Sequence, residues 1–231
     1  MRKNWEELEN IIEYSFADKS ILMEALTHSS KGLVRSDGTR MDNERLEFIG
    51  DAMLDAIIGA VLYETITEGS EGALTKLRSQ IVCEESLDII GKSIGIGDFL
   101  DMGEGEEKTY GRNKPSVIAD AVEALIGGIY LDGGYEKAKL FVERTFSDLI
   151  NQAVEGKLFR DYKTKLQEIS QKHGWHVCYE AMDEGPDHNK TFFVHLLING
   201  KDSGFGTGKT KKEAEQKAAE NFLEKGIKNV L

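Results

Sequence analysis

Glu47, Asp51 and Asp55 recur every fourth residue in NERLEFIGDAMLDAIIGAVLY (43–63), a stretch that is otherwise mostly apolar. Side chains at that spacing share one face of a helix. A second stretch, SVIADAVEALIGGIYL (116–131), has two charged residues, Asp120 and Glu123, three positions apart. The rest of it is apolar around the whole circumference, the pattern of a helix buried on most sides. Ionised carboxylates in such surroundings cost several kcal/mol each unless a cation compensates. No His, Lys or Arg lies in either stretch from Leu46 onward to offset Glu47, Asp51, Asp120 and Glu123 if they converge. A hard divalent cation would offset them, since Mg²⁺ prefers oxygen ligands and keeps waters for chemistry. Two such ions about 4 Å apart can activate a water and stabilise the leaving oxygen of a phosphodiester. The competing reading is a solvated or ion-paired stripe, the commoner fate of acids at these spacings. Periodicity alone leaves both open.

Other site chemistries find less support. A carboxylate-bridged di-iron bundle needs Glu-x-x-His pairs on two helices, and the nearest case, Glu24 to His28, is spaced by four. His28 in ALTHSS reads as a hydrogen-bonded structural histidine. There is no Gly-x-Ser-x-Gly elbow and no P-loop. The glycines of GEGEEKTYGR (103–112) sit among acids, a poor cradle for phosphate, and read as shaping a loop.

The elements that must position these acids are helical. Trp5, Leu8, Ile11 and Ile12 recur at helical spacing, as do Ile21, Leu22, Ala25 and Leu26. Helical patterns return at 73–93, 116–131 and 135–151, with loops rich in Gly, Ser and Asp at 31–40, 68–72 and 102–115. No strand alternation stands out before residue 152, and QAVEGKLFR (152–160) reads as a connection. The period then changes. DYKTKLQEISQKH (161–173) is a helix, WHVCYEAM (175–182) and TFFVHLLING (191–200) are strands around the turn GPDHNK (185–190). GKD (200–202) is placed as a hairpin turn, SGFGTGK (203–209) as a third strand, and TKKEAEQKAAENFLEKG (210–226) as a closing helix with a C-cap glycine. The expected fold is an all-α domain over 1–152, a linker over 153–160, and a small α+β domain of order α-β-β-β-α over 161–229.

Charge follows the same division. The net charge is −12, but from Arg160 onward there are 12 Lys and Arg against 11 Asp and Glu, leaving 17 against 30 before it. The first part therefore carries −13 and the second +1. An acidic total argues against nucleic acid, and the asymmetry weakens that argument by giving the second half room to bind it. The amino end has no apolar core of a signal peptide and no run reaches the roughly 18 apolar residues of a membrane span. Cys83 and Cys178 are isolated, which suits a reducing compartment. A cytoplasmic location is expected.

NERLEFIGDAMLD resembles the signature of the ribonuclease III family. The resemblance extends through ALTHSS, LTKLRSQIV (74–82), GEGEEKTYGR and VIADAVEALIGGIYLDGG, then into DYKTKLQEI and GKTKKEAEQKAA, which look like a double-stranded-RNA-binding domain. It implies an endonuclease that cleaves double-stranded RNA with Mg²⁺, or Mn²⁺ in its place, without a small-molecule cofactor or a membrane. It also implies a homodimer in which each site cuts one strand, leaving 5′-phosphate and 3′-hydroxyl ends with a short 3′ overhang. A role in processing ribosomal and other structured RNA precursors would follow. By the same resemblance Glu47, Asp51, Asp120 and Glu123 are the metal carboxylates, Asp51 and Glu123 are the catalytic pair, and Phe48 is a dimer-interface aromatic. Phe48 as ordinary core stands level with that reading, and Glu44 and Asp55 stay outside the metal shell.

Near the carboxyl end, Thr210 with Glu213 fits a capping box. Lys209, Lys211 and Lys212 then crowd the positive end of the helix, where cations are unfavourable by about 0.3–1 kcal/mol each. A docked RNA phosphate would account for them; a solvated lysine cluster is the bland alternative. The resemblance adds Thr164, Gln167, Glu168 and Gln171 on the first helix and His188 in the β1–β2 turn as RNA contacts. Two rivals stay in view: an RNA-binding protein with an inactive nuclease-like domain, and a carboxylate metal protein of other chemistry. The second leaves the terminal module unexplained.

Overall fold

A computed structural model describes residues 5–155, 162–185 and 190–225. The chain divides into two compact units, Met1–Leu158 and Phe159–Leu231.

The described residues of the first unit form the α-helices α1 (Trp5–Ile11), α2 (Lys19–Ala25), α3 (Glu44–Thr65), α4 (Glu71–Ile81), α5 (Glu84–Ser93), α6 (Glu104–Lys108), α7 (Pro115–Gly133), α8 (Tyr135–Thr145) and α9 (Ser147–Val154). Its axis is α7, which buries eleven residues from Val117 to Ile129 and packs against α3, α5, α8 and α2. Pro115 occupies the first turn, where its missing N–H would be unpaired in any case. The helix α3 contributes Leu46, Leu54, Ile57, Ile58 and Leu62 to the same core.

Backbones touch where α3 crosses α7. A Cβ added to Gly50 would lie 1.8 Å from the Glu123 carbonyl oxygen, and one added to Gly127 would lie 2.2 Å from that of Leu46. No residue with a side chain fits either point, so glycine at both sets the helix separation.

Three expectations are corrected here. The pattern over 73–93 is two helices, broken at Val82 and Cys83, where the extended Cys83 backbone redirects the chain and Ser86 Oγ donates to the Gln80 carbonyl at 2.8 Å. That turn lets Gly91 sit against Ile118 and Val122 of α7. The pattern over 135–151 also breaks, at the fully buried Phe146, and α9 runs on to Val154. The loop at 102–115 contains α6 and a 3₁₀ turn at Gly111–Asn113. It is pinned by Arg112, which donates to the Gly97 and Leu100 carbonyls and pairs with Glu107.

In the second unit α10 (Tyr162–His173) precedes an antiparallel sheet of β1 (Val177–Glu184), β2 (Thr191–Ile198) and β3 (Lys201–Gly208), closed by α11 (Lys211–Lys225). The α-β-β-β-α order is the one expected. Leu166 of α10, Val194, Leu196 and Ile198 of β2, and Ala214, Ala218, Ala219 and Phe222 of α11 form its core. The β2–β3 hairpin turns one residue earlier than GKD. Ile198 pairs with Lys201, and Asn199 (φ 51°) with Gly200 (φ 76°) makes the two-residue turn. Both central residues have positive φ, as a hairpin turn matching strand twist requires. The glycines of β3 have a steric reason, since a Cβ on Gly206 would lie 2.2 Å from the Ala214 carbonyl oxygen.

Candidate active site

The crossing at Gly50 and Gly127 brings two carboxylate faces together. Glu47 lies in the first turn of α3, and Asp120 and Glu123 face it from α7. One carboxylate oxygen from each of Glu47, Asp120 and Glu123 lies within 4.8 Å of the others, and all three side chains are half-buried. Asp51, one turn further along α3, is exposed and outside that group of three.

The surroundings disfavour charge. Burial, reinforced by the charges of Asp51, Glu47, Asp120 and Asp55, pushes the Glu123 carboxyl up to about 8. Burial raises Glu47 as well, with Asp120, Glu44 and Asp51 adding to it. Asp120 is raised by burial, opposed by His28 and assisted by Glu84. An all-oxygen donor set of half-buried acids, with no Lys or Arg paired to it among the described residues, fits a hard divalent cation. The solvated-stripe reading holds for Asp55, which pairs with Arg78 of α4 at 3.5 Å. Sequence reasoning within the two acidic stretches missed that arginine because it arrives from a third helix.

These shifts set a pH dependence. The folded state keeps a proton on Glu123 that the unfolded chain releases near 4.5, so unfolding releases protons between 4.5 and about 8. Metal-free protein is therefore expected to lose stability as pH rises through that window, and Glu47 and Asp120 act in the same direction. Thermal melts in chelator across the window check this. A flat profile would mean that these acids are solvated.

Around the site the loops are tied down. His28 accepts from the Ser30 backbone N–H at 3.2 Å, and its Nδ1 lies 2.7 Å from Ser30 Oγ, in the structural role expected of it. The His28 N–H donates to the Asp101 carbonyl and the Asn43 N–H to that of Thr27, which fixes the start of α3 against both loops. Phe48 is not core; it is 77% exposed. It borders an open depression of about 860 Å³ lined among others by Ile21, Arg35, Leu46, Ile49 and Leu131.

In the second unit Thr164, Gln167, Glu168 and Gln171 are exposed along α10. Lys209, Lys211 and Lys212 are exposed around the start of α11. Thr210 Oγ1 accepts from the Glu213 N–H at 3.1 Å, and Glu213 in return accepts from the Lys209 N–H at 2.7 Å, one residue before the position a capping box predicts. His188 lies outside the described residues. Among the described residues no helix is long and apolar enough to cross a membrane.

Comparison with known proteins covers both units. A Ribonuclease-III-like family model matches residues 18–149, and a double-stranded RNA binding motif matches 162–225. The chain is 45% identical over 220 residues to Ribonuclease 3 of Caldanaerobacter subterraneus subsp. tengcongensis, covering 94% of this chain and 96% of that one. It is 42% identical to Ribonuclease 3 of Clostridium perfringens, covering 95% and 92%. A nuclease domain of ribonuclease III from Campylobacter jejuni, described with structural flexibility in a region involved in dimer formation, matches with a TM-score of 0.59. It is 42% identical and covers 63% of this chain and 97% of its own.

Proposed function

The chain belongs to the ribonuclease III family and carries a double-stranded-RNA-binding motif, and from that premise we propose that it hydrolyses double-stranded RNA with Mg²⁺ at the α3–α7 crossing. The observation that carries this reading is the meeting of Glu47, Asp120 and Glu123 oxygens within 4.8 Å. These three would hold the cation, with Asp51, exposed one turn away on α3, as a fourth carboxylate beside them. The bound ion supplies a Lewis acid and a water of lowered pKa. Glu123, its carboxyl held up to about 8 by burial, would have to give up that proton to hold a cation, so metal affinity is expected to rise with pH toward about 8.

RNA reaches this acidic unit against repulsion, since it carries −13. The second unit offsets that by presenting Thr164, Gln167, Glu168 and Gln171, His188, and the lysines at 209, 211 and 212 to the duplex. Double-stranded RNA is read in this way by shape, through 2′-hydroxyls and phosphates across about 16 base pairs. Two copies of the chain act together, with the exposed Phe48 at their interface and one strand cut at each site. The products carry 5′-phosphate and 3′-hydroxyl ends with a short 3′ overhang. Precursors of ribosomal and other structured RNAs are the natural substrates, and the enzyme works in the cytoplasm.

Long, perfectly paired RNA incubated with the protein tests this. Discrete products are expected in Mg²⁺ or Mn²⁺ and none in chelator, with end mapping giving 5′-phosphates and paired overhangs. Binding without cleavage in either metal would leave an RNA-binding protein with an inactive nuclease-like unit.

A further inference from the structure

The sheet of the second unit has two faces, and α10 and α11 cover only one. On the other, the register places Met182, Phe193 and Thr207 in one cross-strand row and Glu180, His195 and Phe205 in the next. Met182 is 61% exposed and Phe205 43%. The rings form one continuous surface: Phe193 and Phe205 stack with centroids 6.5 Å apart, and His195 lies 5.0 Å from Phe205. Met182, Phe193, His195 and Phe205 line an open depression of about 600 Å³ together with Asp183 and Glu184. Exposed apolar side chains scattered singly need no partner, but these share one face.

The rim is acidic. Glu180 and Glu184 are exposed on β1, and Asp202 on β3 holds His195 Nδ1 at 2.7 Å. Of the neighbouring bases, Lys190 pairs with Asp183 at 3.0 Å, and Lys209 Nζ lies 3.5 Å from Thr191 Oγ1 at the end of β2. We propose that this face docks an arginine-bearing basic segment of a partner protein. A guanidinium stacks on aromatic rings while its charge meets carboxylates. Its aliphatic stem, or a neighbouring apolar side chain, lies on the adaptable Met182 thioether.

Charge excludes the other occupants. RNA phosphates meet Glu180, Glu184 and Asp202, which repel them. The chain's own first unit, at −13, and a second copy of the same face both have the wrong sign. Thr164, Gln167, Glu168 and Gln171 on α10 and Lys211 and Lys212 on α11 belong to the helices that cover the inner face, so a partner on the outer face leaves them clear.

Anisotropy of a short fluorescein-labelled peptide alternating arginine and leucine, titrated with the full chain, tests the proposal. Two variants accompany the wild type: Phe205→Ala, and Glu180→Gln combined with Glu184→Gln, which leaves the ring surface in place should the first fail to fold. Each is expected to weaken peptide binding about tenfold, the loss of one well-packed anchor, with affinity for double-stranded RNA unchanged. Affinity for double-stranded RNA is measured without the peptide, since RNA binds an arginine peptide directly. Equal affinity for wild type and both variants would place the peptide on the acidic first unit and overturn the proposal. Loss of RNA affinity by the variants in parallel with the peptide would assign the face to RNA and overturn it too.

Discussion

Replacing Glu123 by Gln is expected to reduce cleavage of paired RNA by at least about a thousandfold, since losing a cation's several kcal/mol of transition-state stabilisation corresponds to about that factor. The amide keeps the size of the carboxyl but removes the charge that faces Glu47 and Asp120. Affinity for double-stranded RNA should stay within about twofold, because the residues assigned to the duplex sit in the other unit. The same change should raise the melting temperature of the metal-free protein near pH 8. There the native carboxyl, pushed up to about 8 by burial and by Asp51, Glu47, Asp120 and Asp55, is losing its proton at a cost to the fold. A variant that is inactive yet more stable in chelator cannot be dismissed as misfolded. Wild-type cleavage by the variant would remove Glu123 from the chemistry, and a lower melting temperature would mean that its carboxylate is held by partners rather than exposed to repulsion.

The reasons some features could be read from sequence and others could not are physical. The two acidic helices were legible because apolar residues surround Glu47, Asp120 and Glu123 at a spacing that fixes their face. The β1–β2–β3 order was legible because strand alternation and helical periodicity differ by almost a factor of two. Breaks inside long helical patterns were not. Neither Val82–Cys83 nor Phe146 carries Gly or Pro, and each bend is imposed by what the flanking helices must bury. Asn199-Gly200 is a strong turn signal, but the Gly-Lys-Asp run beside it competes with it one residue later. The exposure of Asp51 is a tertiary fact. Along α3 it repeats Glu47 by four, yet Glu47 is half-buried and Asp51 exposed. Arg78 reaches Asp55 from α4 for the same kind of reason, and no pattern within a single helix reports it.

Gly50→Ala should be the most damaging single-methyl change in the α3–α7 pair. The added Cβ would lie 1.8 Å from the Glu123 carbonyl oxygen and 2.5 Å from its carbon, and backbone cannot swing aside as a flexible side chain can. The helices must separate by roughly an ångström, which exposes core packed on both and costs roughly 3 kcal/mol or more, the upper end of overpacking penalties. For a chain of this size that is a fall of about 6–12 °C in melting temperature. Gly105→Ala in α6, where nothing lies within 4 Å of the new Cβ, is the matched control and should leave stability unchanged or raise it by up to about 1 kcal/mol, the helix preference for Ala over Gly. The stronger consequence is functional. Separation at Gly50 moves Glu47 and Asp51 away from Glu123 by the same distance, so cleavage measured well below the melting point should fall about a hundredfold, the loss expected from a 1 Å misplacement. Gly127→Ala, with its Cβ 2.2 Å from the Leu46 carbonyl oxygen, should reproduce both effects from the opposite helix. If either variant melts and cleaves as the wild type does, the helices do not meet backbone to backbone, and the site's geometry must be set elsewhere.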